Sequence, residues 1–553
     1  MFFRQKRSGK HTYLQIVENR WEDGRSKQRV VATLGRLDEL REQGRLDGLL
    51  RSGAKLSQAA IVLTAQQKGE LPVIATTRLG PTLIFQRLWS ELKIPQVLES
   101  LLRGRRFEFA IERAVFLTVM HRLLHSGSDR SCMAWKADYH LPGTESLQLH
   151  QLYRAMAWLG ESLSDDEQDG ATPFAPRCIK DQIEEGLFHR RRDLFSELAL
   201  VFYDTTSIYF EGRGGEDLGQ YGHSKDHRPD RLQMVVGVVL DGQGRPLCCE
   251  LWPGNTTDVK TLIPIVDRLR KRFAIRRVCV VADRGMISQH TIEQLQSKER
   301  GVHYILGARL RSVKEIRDKV LSHPGRYREV RGPKEKSGDP SPLQVKNVQI
   351  ERRRYVVCVN PDQAKKDKAD REAIVGALEE QLKRGDKSLV GNRGYRKYLR
   401  GSETHFEIDR QKIKDEARYD GKWVLRTDMD DLPTEDVALR YKELWMVEDC
   451  IRSIKSILET RPIYHHHDET IRGHVFCSFL ALVLRKELQD RLTAASHSPE
   501  WADVLRDLES LQWVEVEHQH KRFRLRSEAR GVCNQVFQAV GVAFPPTLEQ
   551  QMG

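Results

Sequence analysis

At 553 residues the chain exceeds what one hydrophobic core supports, and its length allows about three or four domains. A net charge of +13 and a pI near 9.2 admit a polyanion partner, because Lys and Arg that neutralise phosphates release condensed counterions, and equally admit an ordinary basic enzyme. Nine irregularly spaced cysteines without a Cys-x-x-Cys pair argue against a zinc ribbon or thioredoxin-like site and for free thiols in a reducing, cytoplasmic setting.

The opening MFFRQKRSGK lacks the apolar run of a signal peptide. Residues 11–35 read as a hairpin: HTYLQIVENRW and RVVATLG are β-prone, and EDG with Gly24 supplies the turn. Arg4, Lys6, Arg7, Lys10, Arg25, Lys27 and Arg29 crowd this segment, so residues 1–75 are expected to form a small basic β module. Over 76–165 the period changes. Ile84, Leu88 and Leu92, then Ile111, Val115, Val119 and Leu123, recur at helical spacing, with Arg103, Arg105, Arg106, Arg113 and Arg122 along the same segments. A helical domain follows from this, and the pattern fits either DNA binding or plain packing. Residues 161–176, acidic and then Pro- and Gly-containing, read as a linker.

From about 185 to 490 the order of elements is informative. Strands are predicted at about 199–210, 232–241 and 247–254, then an amphipathic helix at 258–273, a strand at 277–283, a short helix, and a strand at 302–309. Three antiparallel-type strands, a crossover helix and further strands separated by helices give the order of an α/β ribonuclease H-like core, not the repeated alternation of a doubly wound sheet. Residues 310–430 interrupt it as a mainly β insertion, and one long helix is predicted from about 433 to 459. HHHD (465–468) reads as a loop, since successive residues point in different directions. VFCSFLALVL (475–484) is ten residues long, too short to span a bilayer, and reads as a buried helix. No membrane association is expected. The C-terminal region 491–553 carries no distinctive motif.

Three acids stand out. In LALVFYDTTSIYFEG (198–212) Asp204 interrupts an apolar strand, and a buried carboxylate is costly unless paired, hydrogen-bonded or bound to a metal. Asp283 ends the fourth strand. Glu448 sits within the long helix. In a ribonuclease H-like sheet the first and fourth strands are neighbours, and the late helix crosses the sheet, so the three carboxylates are expected to converge. Such a cluster repels itself unless cations compensate it, and Mg²⁺, an oxygen-seeking ion, suits it. Two such ions activate an attacking oxygen and stabilise a leaving one, which is phosphodiester chemistry. Tyr441, Glu448 and Lys455 are each seven apart, close to two helical turns, and Arg452 leans the same way. These residues suit phosphate contacts; an i,i+4 surface pair of Glu448 with Arg452 is the plainer alternative. Lys225 and Arg228, in the polar loop GHSKDHRPD (222–230), either reach DNA or are solvated. GNRGYRKYLR (391–400) interleaves cations and aromatics, as base stacking would need.

On these residues the chain resembles DDE transposases of bacterial insertion sequences, the group marked by Tyr-x2-Arg-x3-Glu-x6-Lys. Here the motif reads Tyr441-x2-Leu444-x3-Glu448-x6-Lys455, with Leu444 where the family has Arg; Arg452 or Arg440 is left to substitute. YDTTSIYFEG and VVADRGMIS are similar to the first- and second-acid motifs, and the resemblance extends to YLQIVENRW…QRVVATLGRLDEL at the start. It implies a ribonuclease H-like core with a β insertion between the second Asp and the Glu. It implies two Mg²⁺ ions, with Mn²⁺ able to substitute, held by Asp204, Asp283 and Glu448. It implies phosphate contacts from Tyr441, Arg452 and Lys455, and action as a homodimer or higher oligomer on double-stranded DNA, at transposon ends and target. A ribonuclease H-like nuclease that only hydrolyses, or a catalytically dead DNA-binding repressor, are the alternatives.

Overall fold

The structure, a computed structural model, describes the chain apart from residues 23–24, 55–57, 70, 170, 172–174, 192–197, 276, 298–300, 331–342, 385–394, 403–404, 519 and 551–553. The expected turn at Gly24 and the first four residues of GNRGYRKYLR therefore lie outside the described residues. The chain divides into one unit of Met1–Gly80, Trp501–Phe537 and Ala543–Gly553 and another of Pro81–Glu500 and Gln538–Val542.

In the first unit, β1 (Phe2–Ser8), β2 (His11–Glu22) and β3 (Arg25–Arg36) form an antiparallel sheet in the order β1-β2-β3. Gly9, at a φ of +59°, makes the tight turn after β1 that a side chain would strain. β4 (Val73–Arg78) belongs to a second sheet, completed by the C-terminal strands described below.

The second unit contains a helical group and a large mixed sheet. Helix Ile111–Leu124 is buried on nearly every side. Helix Leu149–Gly160 crosses helix Asp468–Ala494 at two glycines. A Cβ on Gly160 would overlap the Glu469 carbonyl and one on Gly473 the Met156 carbonyl, so the two backbones touch. The apolar run Val475–Leu484 is the buried interior of the long helix. No described helix is long and apolar enough to cross a membrane.

The sheet is built from β5 (Leu198–Tyr209), β6 (Gln233–Asp241), β7 (Pro246–Pro253), β8 (Arg277–Ala282), β9 (Val302–Gly307), β10 (Arg328–Val330), β11 (Leu343–Ile350) and β12 (Arg353–Val359), with β15 (Lys422–Thr427); β13 (Leu399–Ser402) and β14 (His405–Ile408) pair apart from it. Its order is β10-β11-β12-β15-β9-β8-β5-β6-β7. β5, β8 and β9 run parallel; β6 pairs antiparallel with β5, and β7 antiparallel with β6. Within 310–430, β10, β11, β12 and β15 thus lengthen the same sheet, since β15 pairs with β9. The segment also holds a 24-residue helix, Pro361–Arg384.

Successive strand residues face opposite sides. Val201 and Tyr203 of β5 join a core with Leu262, Ile265, Leu269 and Phe273 of helix Leu262–Phe273. Asp204 therefore faces the other side, where helix Trp445–Arg452 packs on β5 and β6. The chain then enters the first unit again, where β16 (Gln512–His518) lies between β4 and β17 (Lys521–Arg526), and β18 (Leu548–Gln550) borders β17.

Candidate active site

The parallel register of β5 and β8 sets the site. Tyr203 pairs with Ala282, so the next residue of each strand, Asp204 and Asp283, emerges at adjacent positions. Asp204 Oδ1 accepts the Thr205 backbone N–H at 2.7 Å. Burial pushes the Asp204 carboxyl up to about 6; Lys225 opposes this, while the charges of Asp283 and Asp258 add to it.

Asp283 Oδ1 accepts a hydrogen bond from the Tyr441 hydroxyl at 3.0 Å. Helix Thr434–Lys442 packs across β8 and β9 and carries Tyr441 there. A Cβ on Gly307, at the end of β9, would collide with the Tyr441 hydroxyl, so glycine is required at this close approach. Burial, and then the neighbouring Asp283, hold the phenol well above its ordinary range, and the Glu448 charge acts in the same direction. Glu448 is exposed in the first turn of helix Trp445–Arg452, within electrostatic reach of Tyr441.

The single helix predicted across 433–459 is not observed. Helix geometry tightens at Glu443–Leu444, where N–H groups of Leu444, Met446 and Val447 bond carbonyls three residues back, and widens to a π turn at Ser453–Ile457. The seven-residue face rule assumes a uniform 3.6-residue turn, so it does not carry from Tyr441 to Lys455. Leu444, at the signature's Arg position, is a core residue. Arg440 lies beside Cys279 and Glu443. Arg452 is exposed, 3.9 Å from Asp449.

Lys455 Nζ instead contacts Asp226 Oδ1 at 2.7 Å, and Arg461 Nη1 reaches the same oxygen at 2.5 Å. Lys225, one residue earlier, donates to the Thr205 carbonyl and hydroxyl at 2.8 Å and lies 3.0 Å from Asp258 Oδ2. Arg228 pairs with Asp230 and lies over the Tyr209 ring. The structure thus brings Asp204, Asp283, Tyr441 and Lys225 together, with Glu448 at the rim, and holds Lys455 against the loop that carries Lys225. Asp258, Asp226 and Arg461 were not singled out from sequence. Asp258, which accepts from the Thr205 hydroxyl at 2.7 Å, follows the third strand in PGNTTD, and its position after a strand end was the available signal.

Among the described residues, one set of three candidate ligands has all its donor atoms within 4.8 Å: Asp129, His465 and His474; Asp204, Asp283 and Glu448 are not drawn that close. His465–His467 lie in a loop while Asp468 opens helix Asp468–Ala494, so the loop expected over 465–468 ends one residue early; only His465 of its histidines joins the set. The Arg122 guanidinium already supplies positive charge there, 2.9 Å from both Asp129 Oδ1 and His474 Nδ1. Burial, then Arg122, push His474 down to about 4. His474 Nε2 faces the Thr460 carbonyl and His465 Nε2 faces Asp129 Oδ2, each at 3.2 Å, so the group already ties its elements together by polar contacts.

No curated protein sequence matches the chain. The structure of a piggyBac transposase synaptic complex with hairpin DNA is similar at 11% identity over 78% of this chain and 79% of that one; the TM-score is 0.38, an overlap too loose to bear on the fold. The N-terminal domain of IS1634 family transposases matches residues 3–67. The transposase DDE domain matches residues 196–484, more than half of the chain. By that match the chain belongs to the DDE transposases, enzymes that cleave DNA and transfer its strands.

Proposed function

We propose that the enzyme binds the ends of its insertion sequence as a homodimer or higher oligomer and works through Asp204, Asp283 and Glu448 in a ribonuclease H-like core. The observation that carries this is the parallel register of β5 with β8, which ends at Tyr203 and Ala282 and is followed on each strand by an acid, Asp204 within β5 and Asp283 just past β8. The order β7-β6-β5-β8-β9 fits such a core, with the strands of 310–430 as its insertion.

The donor set fits Mg²⁺: it consists of hard carboxylate oxygens, and Asp204 is partly buried among like charges that a divalent cation would relieve. Asp204, Asp283 and Glu448 would hold two ions, with Asp258 behind Asp204. Bound there, such ions would lower the pKa of water and stabilise the leaving oxygen. Tyr441 acts through Asp283, fixing the carboxylate by its hydrogen bond. Lys455 and Arg461 contact a DNA phosphate; Arg452, Lys225 and Arg228 lie on adjoining elements and extend the cationic surface. The basic strands β1–β3 and the helices of 76–165 contact duplex outside the core.

Two reactions follow. Water attacks the phosphorus at the element's end, and the 3′-hydroxyl leaves. That hydroxyl then attacks a target phosphodiester in line, and the target's own 3′-oxygen leaves. The experiment is a strand-transfer assay with precut end DNA, a supercoiled target and Mg²⁺ or Mn²⁺. Joined product supports the proposal; cleavage without joining assigns a hydrolase instead.

A further inference from the structure

The loop 222–230 lies against both halves of the site. Lys225 is seated on Thr205 and Asp258, and its backbone N–H donates to Ser207 Oγ at 2.7 Å. The next residue, Asp226, points the other way, with Lys455 Nζ at 2.7 Å and Arg461 Nη1 at 2.5 Å on the one oxygen Oδ1. These side chains are largely enclosed: 6% exposed for Asp226, 13% for Lys455 and 28% for Arg461. The second oxygen, Asp226 Oδ2, is buried without a hydrogen-bond partner. Two cations on one oxygen and no hydrogen bond on the other is a poor match for a carboxylate, since leaving a buried acceptor unsatisfied is costly. The following residue, His227, has a φ of +57°, a left-handed conformation that a non-glycine residue adopts only under constraint. Lys455 and Arg461 come from the π turn and from the loop before helix Asp468–Ala494, so they converge on this anion from separate elements.

We infer that Asp226 is an intramolecular stand-in for a DNA phosphate: its carboxylate fills an anion site made by Lys455 and Arg461, and the backbone of incoming DNA takes that site by displacing it. The inference rests on Lys455 being a phosphate contact, as proposed above. A phosphodiester presents two charged non-bridging oxygens, one for each cation, which a single shared carboxylate oxygen does not. Free protein is thereby held with a principal phosphate site closed, and DNA binding carries the penalty of opening it.

The test measures duplex affinity by fluorescence anisotropy, with full-length protein, a labelled duplex of arbitrary sequence and no divalent metal. Asp226→Asn keeps the shape and removes the charge. It is expected to bind about fivefold or more tighter than wild type, the effect of about 1 kcal/mol. Glu216→Gln makes the same change in net charge from an exposed position and is expected to stay within about twofold. Arg461→Gln and Lys455→Gln are each expected to weaken binding more in the Asp226→Asn background than in wild type, where the site is closed. If Asp226→Asn binds no tighter than Glu216→Gln, the inference is overturned; the phosphate-contact reading survives if the Lys455 and Arg461 substitutions still weaken binding, and fails with it if they do nothing in either background. Asp226→Ser, compared by thermal melting, repeats the test should the Asn variant fold poorly, with the same two outcomes.

Discussion

The Tyr441 hydroxyl donates to Asp283 Oδ1 at 3.0 Å, and the glycine that admits it, Gly307, ends a neighbouring strand. The hydrogen bond fixes one carboxylate of the site without adding charge. Tyr441→Phe removes that donor alone. A hydrogen bond to a charged group contributes about 1.5–3 kcal/mol. The variant is expected to fold normally and to cleave about tenfold or more slowly. Single-turnover cleavage checks the rate, and a thermal melt checks the fold.

Asp204 ties stability to pH. Its carboxyl is pushed up to about 6 in the folded protein, from an ordinary value of 3.8. Between about pH 4 and 6 the folded protein therefore keeps a proton that the unfolded chain has released. Stability falls as pH rises through that window, and the penalty is fully present above it. The ceiling is about 3 kcal/mol, reduced by local relaxation. Asp204→Asn is expected to raise metal-free stability by about 1–3 kcal/mol at neutral pH, with the gain vanishing near pH 4. Added Mn²⁺ should stabilise wild type and not the variant. Denaturant titrations at several pH values check both.

A buried charge cluster anchors the helix Ile179–Arg191 to the sheet. Arg272 lies 2.6 Å from Glu184, 2.9 Å from Glu250 and 3.3 Å from Asp181, all of them buried. Arg272→Met removes the cation that Asp181, Glu184 and Glu250 share, leaving Lys180 and Arg268 against three buried carboxylates, and is expected to cost about 3–5 kcal/mol. Lys271→Met, one residue away at an exposed pair with Asp169, is expected to cost under about 1 kcal/mol. Paired urea unfolding curves check the contrast.

Gly473→Ala drives a methyl group into the Met156 carbonyl, where helix backbones touch. Overpacking of this kind costs about 1–3 kcal/mol. Gly376→Ala, in helix Pro361–Arg384, meets nothing within 4 Å and is expected to be neutral or mildly stabilising. Thermal melting of the two variants checks the direction of each.

The strands that hold Asp204 and Asp283 were legible because an apolar run interrupted by one acid has few explanations. Glu448 was the weakest of the three, picked out only by its place in the late helix that crosses such a sheet, since an exposed acid in a charged helix is otherwise unremarked. The common helical face for Tyr441, Glu448 and Lys455 was not delivered: the tight turn at Glu443–Leu444 and the π turn at Ser453–Ile457 are set by packing that a 3.6-residue period cannot anticipate. Asp226 and Arg461 were illegible for another reason. Their meeting joins two loops far apart in the chain, and nothing in either loop names the other. The pairing of β15 with β9, which merges the insertion into the main sheet, is long-range in the same way.

The central claim is that Asp204, Asp283 and Glu448 together hold the metals that run the chemistry. The most direct measurement is cleavage of end DNA in Mg²⁺ by wild type, Asp204→Asn, Asp283→Asn and Glu448→Gln, with folding verified for each. The account predicts that every variant loses about a thousandfold or more of cleavage while still binding DNA. Near-normal cleavage by any one of the three would contradict it.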